Sequence, residues 1–126
     1  MEFRYTDRPT IVIYLNGRVH QEQIDQICFG IEEEGIPFRI QEKESVINLV
    51  NSAHEAALES KLLVGLACDD HQVVLHYRNL KPDQFMHRLN TYSNLSNSDL
   101  RLFGSNAARL VKGSPFKKSQ LLEVAF

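Results

Sequence analysis

Two short segments of the chain are apolar with no polar alternation. Thr10–Leu15 has the sequence TIVIYL, and Leu62–Cys68 has the sequence LLVGLAC. A strand that faces water on one side alternates apolar and polar residues, whereas a strand covered on both sides is apolar throughout. We therefore predict that both segments are buried strands of a sheet that carries helices on its two faces.

A first helix is predicted from about His20 to Glu34, where apolar residues recur at helical spacing. Its apolar stripe consists of Ile24, Ile27, Cys28 and Ile31. Gly35 follows as the residue that lets the chain leave the helix, and Pro37 prevents the helix from continuing. Phe38–Gln41 is predicted to be a short strand.

A second helix is predicted from about Glu44 or Ser45 to Ser60. Its inner face would contain Val46, Leu49, Val50, Ala53 and Ala57. After the apolar segment that ends at Cys68, three residues lead into a further apolar strand, Gln72–Tyr77. Such a short link can join only antiparallel strands, because a parallel return needs a crossover of roughly a dozen residues or more.

The last third of the chain gives weaker signals. Residues 83–98 are polar and rich in Asn and Ser, and we expect a short helix followed by a loop there. Leu100–Phe103 is predicted to be a last strand. A final short helix would have Ser105 or Asn106 as its N-cap and would end at Gly113; its start could bind an anion or could be an ordinary capped helix end.

This order of strands and helices produces right-handed parallel crossovers with helices on the faces of the sheet. We predict a single domain over residues 1–126 with a three-layer α/β/α architecture. Its sheet would be mixed, with four or five strands of which one is antiparallel. A chain of 126 residues has room for one core and little room for a second.

Composition and charge exclude several classes of protein. The chain lacks an apolar run of the ~20 residues that a membrane helix needs. Its acidic start does not resemble a signal peptide, so a cytoplasmic location is expected. The net charge of −2 gives no reason to expect nucleic acid or a membrane as a partner. The two cysteines, Cys28 and Cys68, are predicted to be reduced core residues.

Acidic and basic residues are segregated along the chain. Residues 20–60 contain nine acids and two bases, whereas residues 101–126 contain five bases and one acid. This distribution is compatible with two solvated faces and also with a surface that matches a charged partner.

No common catalytic motif is present. The sequence lacks GxxxxGK[ST], a GxGxxG after its first strand, CxxC and HExxH. Cys68–His71 could contribute to a metal site, but a turn rich in Asp accounts for the same residues. Asp69 and His71 match the start of the cobalamin-ligating motif DxHxxG, although Val74 stands at its glycine position. These features favour a binding protein over an enzyme.

Glu32, Glu33 and Glu34 lie in the last turn of the first predicted helix, where the helix dipole disfavours negative charge. At about 100° per residue, Glu33 points roughly 180° away from Ile24 and the apolar stripe. Glu33 is therefore the carboxylate best directed toward a partner or toward a hard cation such as Mg²⁺ or Ca²⁺. The alternative is an ordinary acidic helix end on a solvated surface.

Four blocks of the sequence resemble the small subunit of diol and glycerol dehydratase-reactivating factors. Gly30–Phe38 is similar to that family's GIEEEGIPF signature, and Leu62–Asp69 is similar to its LLVGIACD segment. Val74–Leu80 resembles VVHYKNL, and Asn106–Phe116 resembles NAARLVKG-x-PF. The order and approximate spacing agree over roughly residues 10–117, so the likeness covers most of the chain.

The resemblance implies a fold similar to the medium subunit of cobalamin-dependent diol dehydratase, and no catalysis by this chain. The family's ATPase, with its ATP or ADP, resides in a separate large subunit, with which the small subunit forms a heterotetramer. On contact with inactivated dehydratase, the small subunit is exchanged for the dehydratase medium subunit, and damaged cobalamin is released. The implied role is a non-catalytic partner subunit that binds no cofactor alone.

The resemblance also implies site residues. In the family, the middle glutamate of the EEE run completes the coordination of a Mg²⁺ or Ca²⁺ ion held mostly by the large subunit, and that position is Glu33. We expect the partner interface to include Glu32, Glu34, Asn106 and Arg109. An exposed surface of this kind would also allow the isolated chain to form a homodimer.

Two other functions stay open at this point. One is a dehydratase medium subunit or a related cobalamin-binding domain, and the other is a free-standing α/β domain that binds a small molecule. The residues do not distinguish a glycerol dehydratase from a propanediol dehydratase as the target. They also do not show whether the complex works inside a bacterial microcompartment.

Overall fold

The computed structural model of the chain describes residues 8–124, which form five strands and three α-helices. The elements are β1 (Ile11–Asn16), α1 (Gln21–Glu33), β2 (Phe38–Lys43), α2 (Leu49–Glu59), β3 (Val64–Cys68), β4 (Gln72–Tyr77), β5 (His87–Asn90) and α3 (Asn97–Lys112). A 3-10 turn, Tyr92–Asn94, lies between β5 and α3. No helix within the described range is long and apolar enough to cross a membrane.

The strands form one sheet in the order β2-β1-β3-β4-β5. β1 pairs in parallel with β2 and β3, whereas β4 is antiparallel to β3 and to β5. α1 and α2 make the crossovers that the parallel pairs require, and the short link from β3 to β4 permits only an antiparallel return. The prediction of a mixed sheet with one antiparallel strand is confirmed.

Helices cover both faces of the sheet, and alternate residues of β1 show which helices lie on which face. Ile11, Ile13 and Leu15 belong to the core cluster formed with α1 and α3, whereas Val12 and Tyr14 belong to the cluster formed with α2. All five residues are buried. A strand that is covered on both sides needs no polar alternation, which explains the sequence of β1 and confirms the three-layer α/β/α prediction.

α1 and α3 approach each other closely at two glycines. A Cβ atom on Gly30 would overlap the carbonyl oxygen of Arg101, and a Cβ atom on Gly104 would overlap the carbonyl oxygen of Ile27. The missing side chains therefore let the two helix backbones touch. This contact holds the C-terminal end of α1 beside the second half of α3.

α1 agrees with its prediction, and Gly35 has the positive φ of 77° expected after the helix end. α2 begins later than predicted. β2 continues to Lys43, and the helix starts only after Asn48, whose side chain accepts a hydrogen bond from the Asn51 N–H. Val46, which was predicted for the inner face of α2, is exposed in the preceding connection.

The last third of the chain differs from the prediction. Residues 83–98 contain β5, the 3-10 turn and the start of α3, where the sequence predicts a short helix and then a loop. Leu100–Phe103 is part of α3 and not a strand, because the helix begins after Ser96, whose Oγ accepts from the Asp99 N–H. The buried face of α3 includes Leu100, Phe103, Ala107 and Ala108. A four-residue apolar window does not distinguish a strand from one turn of such a helix.

Both cysteines are buried and unpaired, as predicted. Burial raises the pKa of the Cys28 thiol to about 12, and it raises the pKa of the Cys68 thiol as well. A thiol in this state is a weak nucleophile and packs as a small apolar residue. The core prediction for both residues is confirmed.

Candidate partner-binding site

The end of α1 separates its three consecutive carboxylates. The Glu34 N–H donates to the Ile31 carbonyl, and the Gly35 N–H donates to the Glu32 carbonyl, so the helical rotation continues through this segment. Glu34 therefore turns toward α3, whereas the side chains of Glu32 and Glu33 are exposed. Adjacent residues of identical chemistry thus occupy different environments.

Glu34 is bound inside the chain. Its carboxylate accepts hydrogen bonds from Lys112 Nζ at 2.6 Å, Ser105 Oγ at 2.6 Å and Arg109 Nε at 3.2 Å. The ammonium group of Lys117 lies 4.0 Å away. The hydrogen bond from Lys112, followed by those from Ser105 and Arg109, lowers the pKa of Glu34 to about 2. Glu34 therefore ties α1 to α3, and its oxygens are already occupied.

Glu33 has the opposite character. Within residues 8–124, its exposed side chain makes no hydrogen bond or ion pair. It lines an open groove of about 330 Å³ together with Ser98, Arg101, Leu102 and Lys117. The carboxylate best directed outward by helical geometry thus also keeps its oxygens available for a partner.

One side chain continues this surface along α1. Phe29 precedes Glu33 by four residues, which is one helical turn, and Phe29 is 44% exposed. The guanidinium group of Arg101 lies 5.9 Å from the centre of the Phe29 ring and donates through Nε to Gln26 Oε1 at 2.9 Å. An exposed aromatic ring beside a fixed arginine is a combination that is frequent in protein interfaces.

The residues around Glu33 can supply one ligand to a cation but cannot form its complete site. Ca²⁺ takes six to eight oxygen ligands, and Mg²⁺ demands octahedral geometry. The described part of the chain contains no group of three or more His, Cys, Asp and Glu residues arranged to hold a metal ion. A free, exposed carboxylate therefore fits a cation whose other ligands come from elsewhere.

Asn106 and Arg109, which were predicted for the partner interface, both make contacts within the chain. Asn106 is fully buried, and its amide group accepts from the Lys117 N–H at 2.7 Å and donates to the Lys117 carbonyl at 2.9 Å. Arg109 donates to Glu34 and, at 3.0 Å, to the Pro115 carbonyl. Their contact with a partner stays a prediction.

Neither alternative for the start of the last helix, an anion site or an ordinary N-cap at Ser105 or Asn106, agrees with the structure, because no helix starts there. Ser105 and Asn106 lie in the middle of α3, where backbone N–H groups bond within the helix. Lys112 lies in the last turn of α3, and its ammonium group donates to Glu34. The role of this segment is therefore to hold α1 and the chain that follows α3.

The turn between β3 and β4 has the geometry of an ordinary Asx turn. Asp69 Oδ1 accepts from the backbone N–H groups of His71 at 2.8 Å and Gln72 at 2.7 Å. Beside it, a cavity of about 160 Å³ lies at the carboxyl ends of β1 and β3, where sheets of this topology commonly bind ligands. The Asn16 amide in its wall already bonds to Ser52 and to the Glu44 carbonyl, which leaves fewer polar groups for a ligand.

The segregation of charge along the sequence has a partly internal explanation. Three of the basic residues that follow position 101, Arg109, Lys112 and Lys117, lie beside the acidic end of α1, because α1 and α3 pack side by side on the same face of the sheet. Sequence reasoning missed the cluster around Glu34. The spacing of Ser105, Arg109 and Lys112 on one helix face was the signal that could have revealed it.

Comparison with known proteins agrees with this fold. The family model described as dehydratase medium subunit matches residues 8–117. The small subunit of the propanediol dehydratase-reactivating factor from Citrobacter freundii is 44% identical over 110 residues, which are 87% of this chain and 91% of the relative.

Two solved structures have the same fold. One is described as the diol dehydratase-reactivating factor complexed with ADP and Mg²⁺; its TM-score is 0.81 at 41% identity, over 89% of this chain and 100% of that chain. The other, a glycerol dehydratase reactivase, has a TM-score of 0.81 at 26% identity, over 88% of this chain and 98% of that chain.

Fold and family model together define a protein of the dehydratase medium subunit class. Within this class, the chain belongs to the family of small subunits of dehydratase-reactivating factors. The alternative of a free-standing ligand-binding domain is not supported by these relatives, and the reactivating-factor interpretation is favoured over that of a dehydratase subunit.

Proposed function

We propose that this chain is the non-catalytic small subunit of a reactivating factor for a cobalamin-dependent diol dehydratase. It binds the large subunit of that factor and is exchanged for the medium subunit of the dehydratase, so that damaged cobalamin is released. ATP hydrolysis belongs to the large subunit. The observation that carries this proposal is the exposed carboxylate of Glu33, which makes no hydrogen bond or ion pair within residues 8–124. The chain that contains it is 44% identical to a small subunit of this kind, over 91% of that relative's length.

Within the complex, Glu33 supplies one oxygen ligand to a Mg²⁺ or Ca²⁺ ion whose remaining ligands come from the large subunit. The ion would supply an electrostatic link between two surfaces that each hold only part of its coordination sphere. Such a link fixes the register of the complex without a large apolar patch, which suits a subunit that has to be exchanged. Glu32 also contributes to the interface, from the same exposed helix end.

The identities favour a diol dehydratase as the target. The chain is 44% identical to the small subunit of a propanediol dehydratase-reactivating factor and 41% identical to a chain of a diol dehydratase-reactivating factor. Its identity to the glycerol dehydratase reactivase is 26%. Reactivation assays with an inactivated propanediol dehydratase and an inactivated glycerol dehydratase would test this preference directly.

Binding to the large subunit of a diol dehydratase-reactivating factor tests the proposal. We expect the wild-type chain to bind in the presence of Mg²⁺ and to bind more weakly after chelation with EDTA. Glu33→Ala should weaken binding and reduce its dependence on Mg²⁺. Glu32→Ala is the matched control, since it removes the neighbouring exposed carboxylate and should keep the Mg²⁺ dependence.

Unchanged affinity and unchanged Mg²⁺ dependence of Glu33→Ala would contradict the metal role. Equilibrium dialysis of the isolated chain with cobalamin tests the function itself, because tight binding would indicate a dehydratase medium subunit or a related cobalamin-binding domain. Native mass spectrometry of the complex would test the proposed heterotetramer and would detect a homodimer of the isolated chain. Cell fractionation would test whether the complex works inside a bacterial microcompartment.

A further inference from the structure

The carboxylate of Glu33 lies in basic surroundings. Arg101 and Lys117 line the same groove, and both side chains reach solvent. Glu34 neutralises Lys117 only in part, because the Lys117 ammonium group is at 4.0 Å whereas the hydrogen bonds of the Glu34 carboxylate come from Lys112, Ser105 and Arg109. Arg101 makes no ion pair within residues 8–124. The groove therefore carries one unengaged carboxylate and two basic groups.

This charge pattern has a consequence for any cation at Glu33. The Glu33 carboxylate attracts a divalent cation, whereas Arg101 and Lys117 both repel it, so the groove alone is a poor cation site. The arrangement becomes favourable only if the second surface brings several negative charges. The same two bases would then be attractive, because they would face carboxylates that the cation does not neutralise.

We infer that the groove formed by Glu33, Arg101 and Lys117 docks an acidic face of the large subunit, which holds more carboxylates than the shared cation neutralises. Arg101 and Lys117 recognise this face as ion-pair donors. The inference rests on the proposed function and adds the chemistry of the partner surface and the two residues that select it.

Both bases are held in place before binding. Arg101 is fixed by its hydrogen bond to Gln26 and by its position over the Phe29 ring. The backbone of Lys117 is fixed by the two hydrogen bonds to the buried amide group of Asn106. Fixed bases lose less conformational freedom on binding, and a guanidinium group can pair with a carboxylate through two parallel hydrogen bonds.

The test compares charge-neutralised variants in binding to the Mg²⁺-loaded large subunit. Arg101→Gln and Lys117→Gln should each weaken binding about two- to fivefold at low salt, which is the range of partly exposed ion pairs. The association rate should fall more than the dissociation rate rises, because charges at the edge of an interface act mainly by steering. Lys81→Gln is the matched control, since Lys81 is an exposed base outside the groove.

Salt dependence separates this role from a structural one. From about 0.01 M to 1 M salt the screening length falls from roughly 30 Å to 3 Å, so the wild-type affinity should decrease steeply. Arg101→Gln combined with Lys117→Gln should show a shallower decrease and should retain the Mg²⁺ dependence that Glu33→Ala loses. Thermal unfolding of each variant identifies any loss of folding, and Arg101→Lys should recover part of the affinity.

The inference is overturned if the double variant has the affinity and the salt dependence of Lys81→Gln. Such a result would leave the proposed function intact, because the wild-type chain would still bind the large subunit. If the wild-type chain itself fails to bind the large subunit, the proposed function is wrong and the inference falls with it. Stronger binding after neutralisation would indicate a basic partner face and would also overturn the inference.

Discussion

The carboxylate of Glu34 accepts a hydrogen bond from the ammonium group of Lys112 at 2.6 Å, and this contact joins the end of α1 to the last turn of α3. The Glu34 side chain is 13% exposed. The contact explains why one of three consecutive glutamates has a structural role, and it leaves Glu33 available for a partner. It also offers a pH-dependent test of the cluster.

Glu34→Gln should lower the free energy of unfolding at neutral pH by about 1.5 to 3 kcal/mol, the range for hydrogen bonds that involve a charged group. The pKa of Glu34 is lowered from 4.5 to about 2, so its stabilising effect is complete above pH 4.5 and is lost as pH falls toward 2. Urea unfolding of the wild-type chain and of Glu34→Gln, at a series of pH values from neutral to pH 2, measures the difference in their free energies of unfolding. Glu32→Gln is the control, and a difference that stays constant down to pH 2 would contradict the assignment.

Asn106→Ala should release the segment that follows α3. The substitution removes both hydrogen bonds to Lys117 and leaves a gap in a fully buried position, and we expect a loss of about 2 to 3 kcal/mol. Hydrogen exchange at the Lys117 amide and proteolysis within residues 114–124 should both accelerate. Asn79→Ala is the control, because Asn79 is exposed, and it should change neither rate. Equal protection of the Lys117 amide in the two variants would show that the hydrogen bonds of Asn106 do not hold this segment.

Gly104→Ala should destabilise the chain by about 3 kcal/mol or more, because the added methyl group would meet the Ile27 carbonyl and push α1 away from α3. Helix propensity acts in the opposite direction by about 1 kcal/mol and should not compensate. Gly35→Ala is the comparison, since its Cβ would meet no atom within 4 Å but its φ is 77°. Its expected cost is about 1 kcal/mol. Denaturant unfolding measures the stability of both variants. A larger loss of stability for Gly35→Ala than for Gly104→Ala would refute the close contact between α1 and α3.

Ser96→Ala should cost about 1 kcal/mol, because Ser96 Oγ accepts from the Asp99 N–H and caps α3. Ser98→Ala, two residues further along and outside the capping position, should change stability by only a few tenths of a kcal/mol. Thermal unfolding of the two variants gives the comparison. If Ser96→Ala left the stability unchanged, the result would instead agree with a helix that begins near Ser105, as the sequence pattern predicts.

Most of the fold was predictable because its signals are local. The apolar run of β1 indicates burial on both sides, and the spacing from Ile24 to Ile31 indicates the buried face of α1. β5 and α3 were not predictable in the same way. The four residues of β5 form a strand because they pair with β4. The apolar residues of α3 show helical spacing only over the whole of positions 100 to 108, and not within a four-residue window.

The sequence by itself determined the alternation of strands and helices, the mixed sheet and the outward direction of Glu33, since each depends on spacing along a single element. Only the tertiary structure decided how the neighbouring carboxylates differ. Two glycines let α3 lie against α1, and the bases of α3 therefore engage Glu34 and leave Glu33 in an open groove. Residues more than seventy positions apart set this environment, and no local pattern records which of them meet.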